Sequence, residues 1–395
     1  MKVIVCHPGT QHAGKLAAAL KKEDLLARFF TGFRLKANSM LGRRLRISGL
    51  RTLDDSLAGC TTQIRTPEVL AKAAQYVGWN GERLMRLRNG WFQRRIPSKA
   101  IASSNAVIGF DTSSWILAKR AGELGRAFVL DRTTVHRSAR VSVRSASPTD
   151  SQGAGNAPNS DGGVQHDLES QEMSLATRIV VASKFAERSL LDAGIGSEKI
   201  AVIPYGVNFD WFAGKPRGEA KTGGQVFLYV GHLTKDKGVG ILLDAWRQFN
   251  AVGAELWLAG GGDPAMIERA SGTAGVRVLG KLDPERLREA YQSASAFVFP
   301  TYCDGFGMVL LEAMACGLPI IATPNCAAPE LLQNGSAGLI VPAGDASALG
   351  SAMADVCSNG TAWEKRGSAA RDIARTYSWD AYGTRWAALL REVVK

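Results

Sequence analysis

The chain has 395 residues, enough for two to three domains of ordinary size. With 46% hydrophobic and 21% charged residues it is not collagenous, disordered or a coiled coil, and no run of 18 apolar residues offers a membrane span. The net charge is +12; residues 1–99 hold 19 basic and 6 acidic groups, whereas residues 176–395 balance at 22 and 22.

The opening MKVIVCHPGTQH is apolar too briefly for a signal peptide and is expected to be a first strand, with a helix over HAGKLAAALKK. Residues 33–51 carry six basic groups and no acid. Residues 83–99 carry six more, interleaved with Leu84, Met85, Leu87, Trp91, Phe92 and Ile96. Such a mixture suits an anionic membrane surface or a solvated helix face. No helix-turn-helix, RNP-like or zinc-finger spacing supports nucleic acid as the partner. NAVIGF then reads as a strand, SSWILAKRAGELG as a helix and AFVLD as a strand. Residues 138–163 are rich in Ser, Gly, Pro, Asn and Asp and are expected to be a mobile loop.

After it come a helix over HDLESQEMSLATR, a strand over IVVAS, a helix over FAERSLLDAGI and a strand over KIAVIPYG. The polar, glycine-rich residues 213–224 have the composition of a linker. A second alternating series follows, with strands at QVFLYVG, AELWLAG, VRVLG, SAFVFP, PIIAT and GLIVP, and an amphipathic segment closes the chain. The pattern is α/β: two doubly wound parallel sheets with a cleft between them. The six cysteines show no C-x-x-C spacing and read as reduced thiols, with Cys316 a small core residue.

Three loops carry the chemistry. In residues 297–323 a strand ends at Phe299-Pro300 and a helix begins near Gly307 and stops at Gly317. Gly305 and Gly307 allow close approach of the backbone to a ligand, and the helix start favours an anion. Glu312 is the only charge in residues 308–318, and a lone carboxylate there needs donors, which vicinal sugar hydroxyls would supply. Asp304, eight residues earlier, could face the same molecule. In residues 227–246 Lys237 stands beside Gly238 in a strand-to-helix loop, where an ammonium could meet a phosphate, with His232 nearby as a donor. The glycines of AGGGDP, 259–264, are a weaker nucleotide-loop signal.

Taken in this order, the loops resemble the family 4 retaining glycosyltransferases of GT-B fold, strongly over residues 176–385 and more loosely over 1–137. VIPYGVNFDWF, VGHLTKDKG and DGFGMVLLEAMACGLPIIAT carry the resemblance. It implies two Rossmann-like domains facing across a cleft. An acceptor-side domain would cover 1–210, a nucleotide-sugar-binding domain 211–376, and a C-terminal helix, 377–395, would pack back on the first domain. It also implies roles. Lys237 would hold the donor diphosphate, Glu312 the ribose hydroxyls, and Asp304 with Gly305, Phe306 and Gly307 the donor sugar. His136, in VLDRTTVHRS, is the candidate to face the reacting carbon. Gly9, Thr10 and His12 would form an acceptor-side loop. The family usually has arginine where His232 stands and glutamate where Asp304 stands.

The activity implied is transfer of a sugar, with retention, from a nucleotide-diphosphate donor, UDP- or GDP-linked, to a hydroxyl of a glycan or lipid-linked acceptor. No cofactor and no metal is expected. The setting would be surface polysaccharide or glycolipid assembly in the cytoplasm, peripheral at the inner membrane face through 33–51 and 83–99. A catalytically silent protein of the same fold binding sugar or anionic lipid, or another nucleotide-sugar enzyme, is the alternative.

Overall fold

The computed structural model describes residues 1–9, 12–32, 35–36, 52–76, 81–140, 160–213, 224–250 and 252–394. The strands in chain order are β1 Val3–His7, β2 Leu26–Thr31, β3 Leu35–Lys36, β4 Thr52–Leu53, β5 Thr61–Gln63, β6 Ala106–Phe110, β7 Ala127–Asp131, β8 Arg178–Val181 and β9 Ile200–Val202. The series continues with β10 Val226–Val230, β11 Glu255–Ala259, β12 Val276–Gly280, β13 Ala296–Phe299, β14 Ile320–Ala322 and β15 Gly338–Ile340.

Seven strands form one parallel sheet in the order β5-β2-β1-β6-β7-β8-β9, and six form a second in the order β12-β11-β10-β13-β14-β15. The apolar runs VIVCH and AVIGF dictate central strands. Helices cover both faces of a parallel sheet, so such runs need no polar alternation, and every residue of β1 and β6 is buried. Val3–Val5 pair with Ala106–Ile108 across the centre of the first sheet. There the strand order reverses, and in the second sheet it reverses between β10 and β13. Each reversal leaves a crevice beyond the carboxyl ends of the strands, where ligands of such sheets bind.

The end of the chain ties the halves together. Helix Gly360–Thr376 packs on helix Met308–Ala315 of the second half, and helix Trp379–Val393 then packs on Ala13–Lys22 of the first. Tyr382 and Trp386 are fully buried there, and Lys22 pairs with Asp380 at 2.5 Å. The chain crosses between the halves a second time beside this point, where Val207 donates its N–H to the Tyr377 carbonyl at 2.8 Å.

Two expectations need correction. Helix Ser160–Leu175 begins inside the segment read as a mobile loop, so residues 160–163 are helical; residues 141–159 lie outside the described residues. Phe92, counted among the apolar residues of the basic stretch, is fully buried on helix Glu82–Arg94 and is not available to a membrane. Met85 and Leu87 of that helix, with Val69 and Leu70 of the adjoining helix Thr66–Tyr76, are exposed instead. Most of 33–51 lies outside the described residues, as does 214–223 of the linker.

Glu172, on helix Ser160–Leu175, reaches the start of helix Trp115–Glu123. Its carboxylate accepts from the Ser114 N–H at 2.6 Å and the Thr112 N–H at 2.8 Å. The Ser114 amide is one of the orphan donors of the helix start, and Thr112 belongs to the turn that leads into it. Burial pushes its carboxyl up to about 8, and the amides pull it back. Glu172→Ala leaves both amides without an acceptor and is expected to cost about 2 kcal/mol. A wild-type urea midpoint for this variant would show that the contact adds nothing.

Candidate active site

A cavity of about 380 Å³ opens where the carboxyl ends of β7, β10 and β13 meet. Thr133, Thr134, Val135 and Arg140 line it from the first half. Asp236, Lys237, Tyr302, Cys303, Asp304 and Gly305 line it from the second.

Lys237 closes a single turn, Lys235–Lys237, after which Gly238 adopts φ 72°. A Cβ at Gly238 would run into the Pro300 carbonyl, so only glycine lets this loop press against the chain leaving β13. That contact sets Lys237 beside Asp304. Its Nζ lies 2.7 Å from Asp304 Oδ2 and 3.3 Å from the Cys303 carbonyl oxygen. Asp304 Oδ1 accepts from the Phe306 N–H at 3.0 Å, and the Asp304 N–H donates to the Asn325 carbonyl at 3.0 Å. The carboxylate is thus fixed at both oxygens, immediately before helix Met308–Ala315, which Gly307 caps.

The Asp304–Gly307 loop rests on the first half. Ser183 Oγ donates to the Gly305 carbonyl at 2.6 Å, and a Cβ at Gly305 would strike the Thr133 carbonyl oxygen. Phe306 is buried with its ring 5.1 Å from that of Tyr205. Nearby, the Lys184 N–H donates to Glu330 Oε1 at 2.9 Å. In this cleft an ammonium and a carboxylate meet, and the chain runs from the carboxylate directly into the helix start that Gly307 caps.

Glu312 lies farther along the same helix and does not line this cavity. Its Oε2 accepts from the Tyr291 hydroxyl at 2.9 Å, and burial pushes its carboxyl up to about 7. The sequence supplied donors for this carboxylate only from a ligand; one of them belongs to the protein. Tyr291 is fully buried, and a buried phenol needs a partner, which is the signal that could have found it.

Other expected residues fall elsewhere. His136 is half-buried outside the lining. Its N–H donates to Ser189 Oγ at 2.9 Å and its Nδ1 meets Ser138 Oγ at 2.8 Å; burial and Arg132 lower its basicity. His232 is exposed, and its carbonyl accepts from the Tyr229 hydroxyl at 2.8 Å. His12 is buried, with Nε2 2.7 Å from Asp131 Oδ2 and its ring against Tyr205. The Gly9 N–H donates to His7 Nδ1 at 2.8 Å, and Thr10 lies outside the described residues. Thr133, Thr134 and Arg140 were missed, because no spacing within RTTVHRSAR sets them apart from ordinary loop residues. The Thr133 and Thr134 hydroxyls donate to Asp111, at 3.0 and 2.8 Å.

Two parallel sheets joined by paired crossovers, with a cavity at their carboxyl ends, define the GT-B class of architecture. Solved structures of that kind superpose over nearly the whole chain. Sucrose-phosphate synthase from Thermosynechococcus elongatus gives a TM-score of 0.65 at 20% identity, covering 100% of this chain and 99% of that one. Anabaena HepE in complex with UDP gives 0.67 at 15% identity, covering 99% and 100%. Residues 224–359 match the family model described as Glycosyl transferases group 1. In sequence the chain is similar to phosphatidyl-myo-inositol mannosyltransferase of Mycobacterium leprae (strain TN), 32% identical over 210 residues, covering 51% of this chain and 55% of that protein. It is also similar to D-inositol 3-phosphate glycosyltransferase of Nocardiopsis dassonvillei, 28% identical over 196 residues, covering 44% and 46%. The chain spans about half the length of these curated relatives. The resemblance drawn from the three loops therefore holds: this is a two-domain protein of GT-B fold whose second sheet lies within the stretch that matches the Glycosyl transferases group 1 model.

Proposed function

We propose that the protein is a retaining glycosyltransferase that moves a sugar from a nucleotide diphosphate to a hydroxyl of a glycan or lipid-linked acceptor. Residues 1–210 would receive the acceptor, residues 211–376 the donor, and 377–395 would belong with the first domain. The observation that carries this reading is the meeting of Lys237 and Asp304 on a cavity walled opposite by Thr133 and Thr134, with helix Met308–Ala315 starting just beyond Asp304. An ammonium and a helix N-terminus favour charge that builds on a departing diphosphate.

Asp304, with the backbone of Gly305, Phe306 and Gly307, would hold hydroxyls of the donor sugar, and Glu312 would accept from the ribose. Asp304 Oδ2 meets Lys237 in the free protein, so a sugar hydroxyl must share that oxygen or replace the ammonium. Acceptor attack would come on the face the diphosphate leaves, with a phosphate oxygen taking the acceptor's proton, so no carboxylate nucleophile is required. His136, Gly9, Thr10 and His12 would border the acceptor. UDP- and GDP-sugars are the donors of choice for a first test. A thermal-shift panel of UDP-, GDP- and ADP-sugars should show one base stabilising the fold by about 2.7 kcal/mol at a hundred times its dissociation constant. No shift with any of them would contradict the reading.

The acceptor would be met at an anionic membrane surface, on the cytoplasmic side, in polysaccharide or glycolipid assembly. Among the described residues no helix is long and apolar enough to cross a membrane. A surface attachment is supported by Arg83, Arg94, Arg95 and Lys99, exposed beside Met85 and Leu87. Each basic group near an anionic surface contributes about 1 kcal/mol. Sedimentation with anionic liposomes is expected to exceed that with neutral ones and to fall in high salt, where the Debye length shrinks to about 3 Å at 1 M. Equal, negligible binding to both would leave a soluble acceptor as the better reading.

A further inference from the structure

The cavity holds a cation that the account above does not use. The charge of Lys237 is met at 2.7 Å by Asp304. Arg140, across the cleft, has no such close partner among the described residues. Its nearest carboxylate is Glu169, at 3.7 Å, and that same oxygen lies 3.2 Å from the fully buried Arg132. Two guanidiniums therefore share one carboxylate oxygen. Arg140 Nε, and Nε and Nη1 of Arg132, are buried with no hydrogen-bond partner among the described residues. Buried cationic donors left unmade are costly, and each one calls for an explanation. The Arg140 side chain is nevertheless 38% exposed and forms part of the cavity wall. Thr133 and Thr134, which face it from the same side, have donated their hydroxyls to Asp111, so among the described side chains of the first domain that line this wall the guanidinium is the one with unmade donors.

We propose that Arg140 is a phosphate-binding residue which the first domain contributes to the cleft. A planar guanidinium pairs with two phosphate oxygens at once, which an ammonium cannot do. The ligand is a phosphate ester, either in the diphosphate of the donor or on the acceptor. This rests on the proposed function for what enters the cavity, and on the unpaired guanidinium for what that ligand carries. If the phosphate is the donor's, cleft closure and donor binding are coupled, because Lys237 and Arg140 stand on opposite domains.

The test is calorimetric titration of the wild type, Arg140→Ala and Arg140→Lys with UDP and with GDP. Inorganic phosphate is then titrated into each protein saturated with the tighter nucleotide. Loss of a charged hydrogen bond predicts a weakening of about tenfold to a hundredfold in Arg140→Ala, with partial recovery in Arg140→Lys. A loss in the nucleotide titration places the phosphate in the donor; a loss in the phosphate titration alone places it on the acceptor. Affinities unchanged in both overturn the subsite and leave the proposed function standing. A wild type that binds none of UDP, GDP and ADP contradicts the proposed function instead, and phosphate titrated into the free proteins then decides the subsite by the same comparison. Should Arg140→Ala not fold, Arg140→Gln keeps the side chain's length without its charge and replaces it.

Discussion

Lys237→Ala is expected to lower kcat by about two orders of magnitude while leaving the donor KM less affected. The ammonium is one of few groups in the cleft that can oppose charge building on the leaving diphosphate, and preorganised groups of this kind contribute about 3 kcal/mol to the transition state. In the resting protein it is held by Asp304 and the Cys303 carbonyl, so it needs little reorganisation when the donor arrives. Removing it also leaves Asp304 without its ion-pair partner, and a carboxylate beside a diphosphate then works against binding. Some KM increase is therefore expected too. The pair is partly exposed, with side chains 27% and 23% accessible, so the fold itself should lose little stability. Steady-state kinetics at saturating acceptor separate the two effects. A wild-type kcat would remove Lys237 from the site.

The second large effect is expected at Glu312, in binding rather than turnover. Burial holds its carboxyl at about 7, well above the ordinary carboxylate range, with the Tyr291 hydroxyl partly offsetting that rise. Ribose hydroxyls bond more strongly to the ionised form, both of whose oxygens accept with charge, than to the protonated one. Nucleotide affinity should therefore rise as the pH passes from about 6 to 8, with proton release on binding in the lower half of that range. Glu312→Ala should weaken binding by about tenfold or more and abolish the pH dependence, because the phenol and the ribose both lose their acceptor. Glu312→Gln keeps an oxygen for Tyr291 and should bind at an intermediate, pH-independent level. Calorimetry across that pH range checks all three proteins. A wild type whose nucleotide affinity is flat from pH 6 to 8 would break the link between this carboxylate and the ribose.

The central strands of both sheets were legible because a buried parallel strand is a short apolar run between turn residues, as VIVCH, AVIGF and VFLYV are. β2 was not. LARFFT has Arg28 in its middle and charged residues just before it, with only Gly32 marking an end, and its pairing with β1 is set by the sheet rather than by local signals. The glycines at 305, 307 and 317 placed helix Met308–Ala315 within a residue or two, since each end needs a conformation or an approach that glycine supplies. Contacts distant in sequence were invisible. Lys237 and Asp304 are 67 residues apart, and Ser183 lies 122 residues from the Gly305 carbonyl it binds. Arg140 stayed hidden for a related reason: its significance is the shortage of nearby carboxylate, which only packing reveals. His12 was legible as part of the first loop from the glycines around it, but the enclosure of its ring by Phe110, Tyr205 and Tyr382 and its bond to Asp131 were not.

The most direct test of the account is NMR of the glycoside formed from the nucleotide sugar that stabilises the fold, with the anomeric coupling of the transferred sugar read against that of the donor. Binding at Lys237 and Asp304, with departure and attack on one face, predicts a glycosidic bond of the same anomeric configuration as the donor. An inverted product, or no transfer from a donor that demonstrably binds, would contradict it.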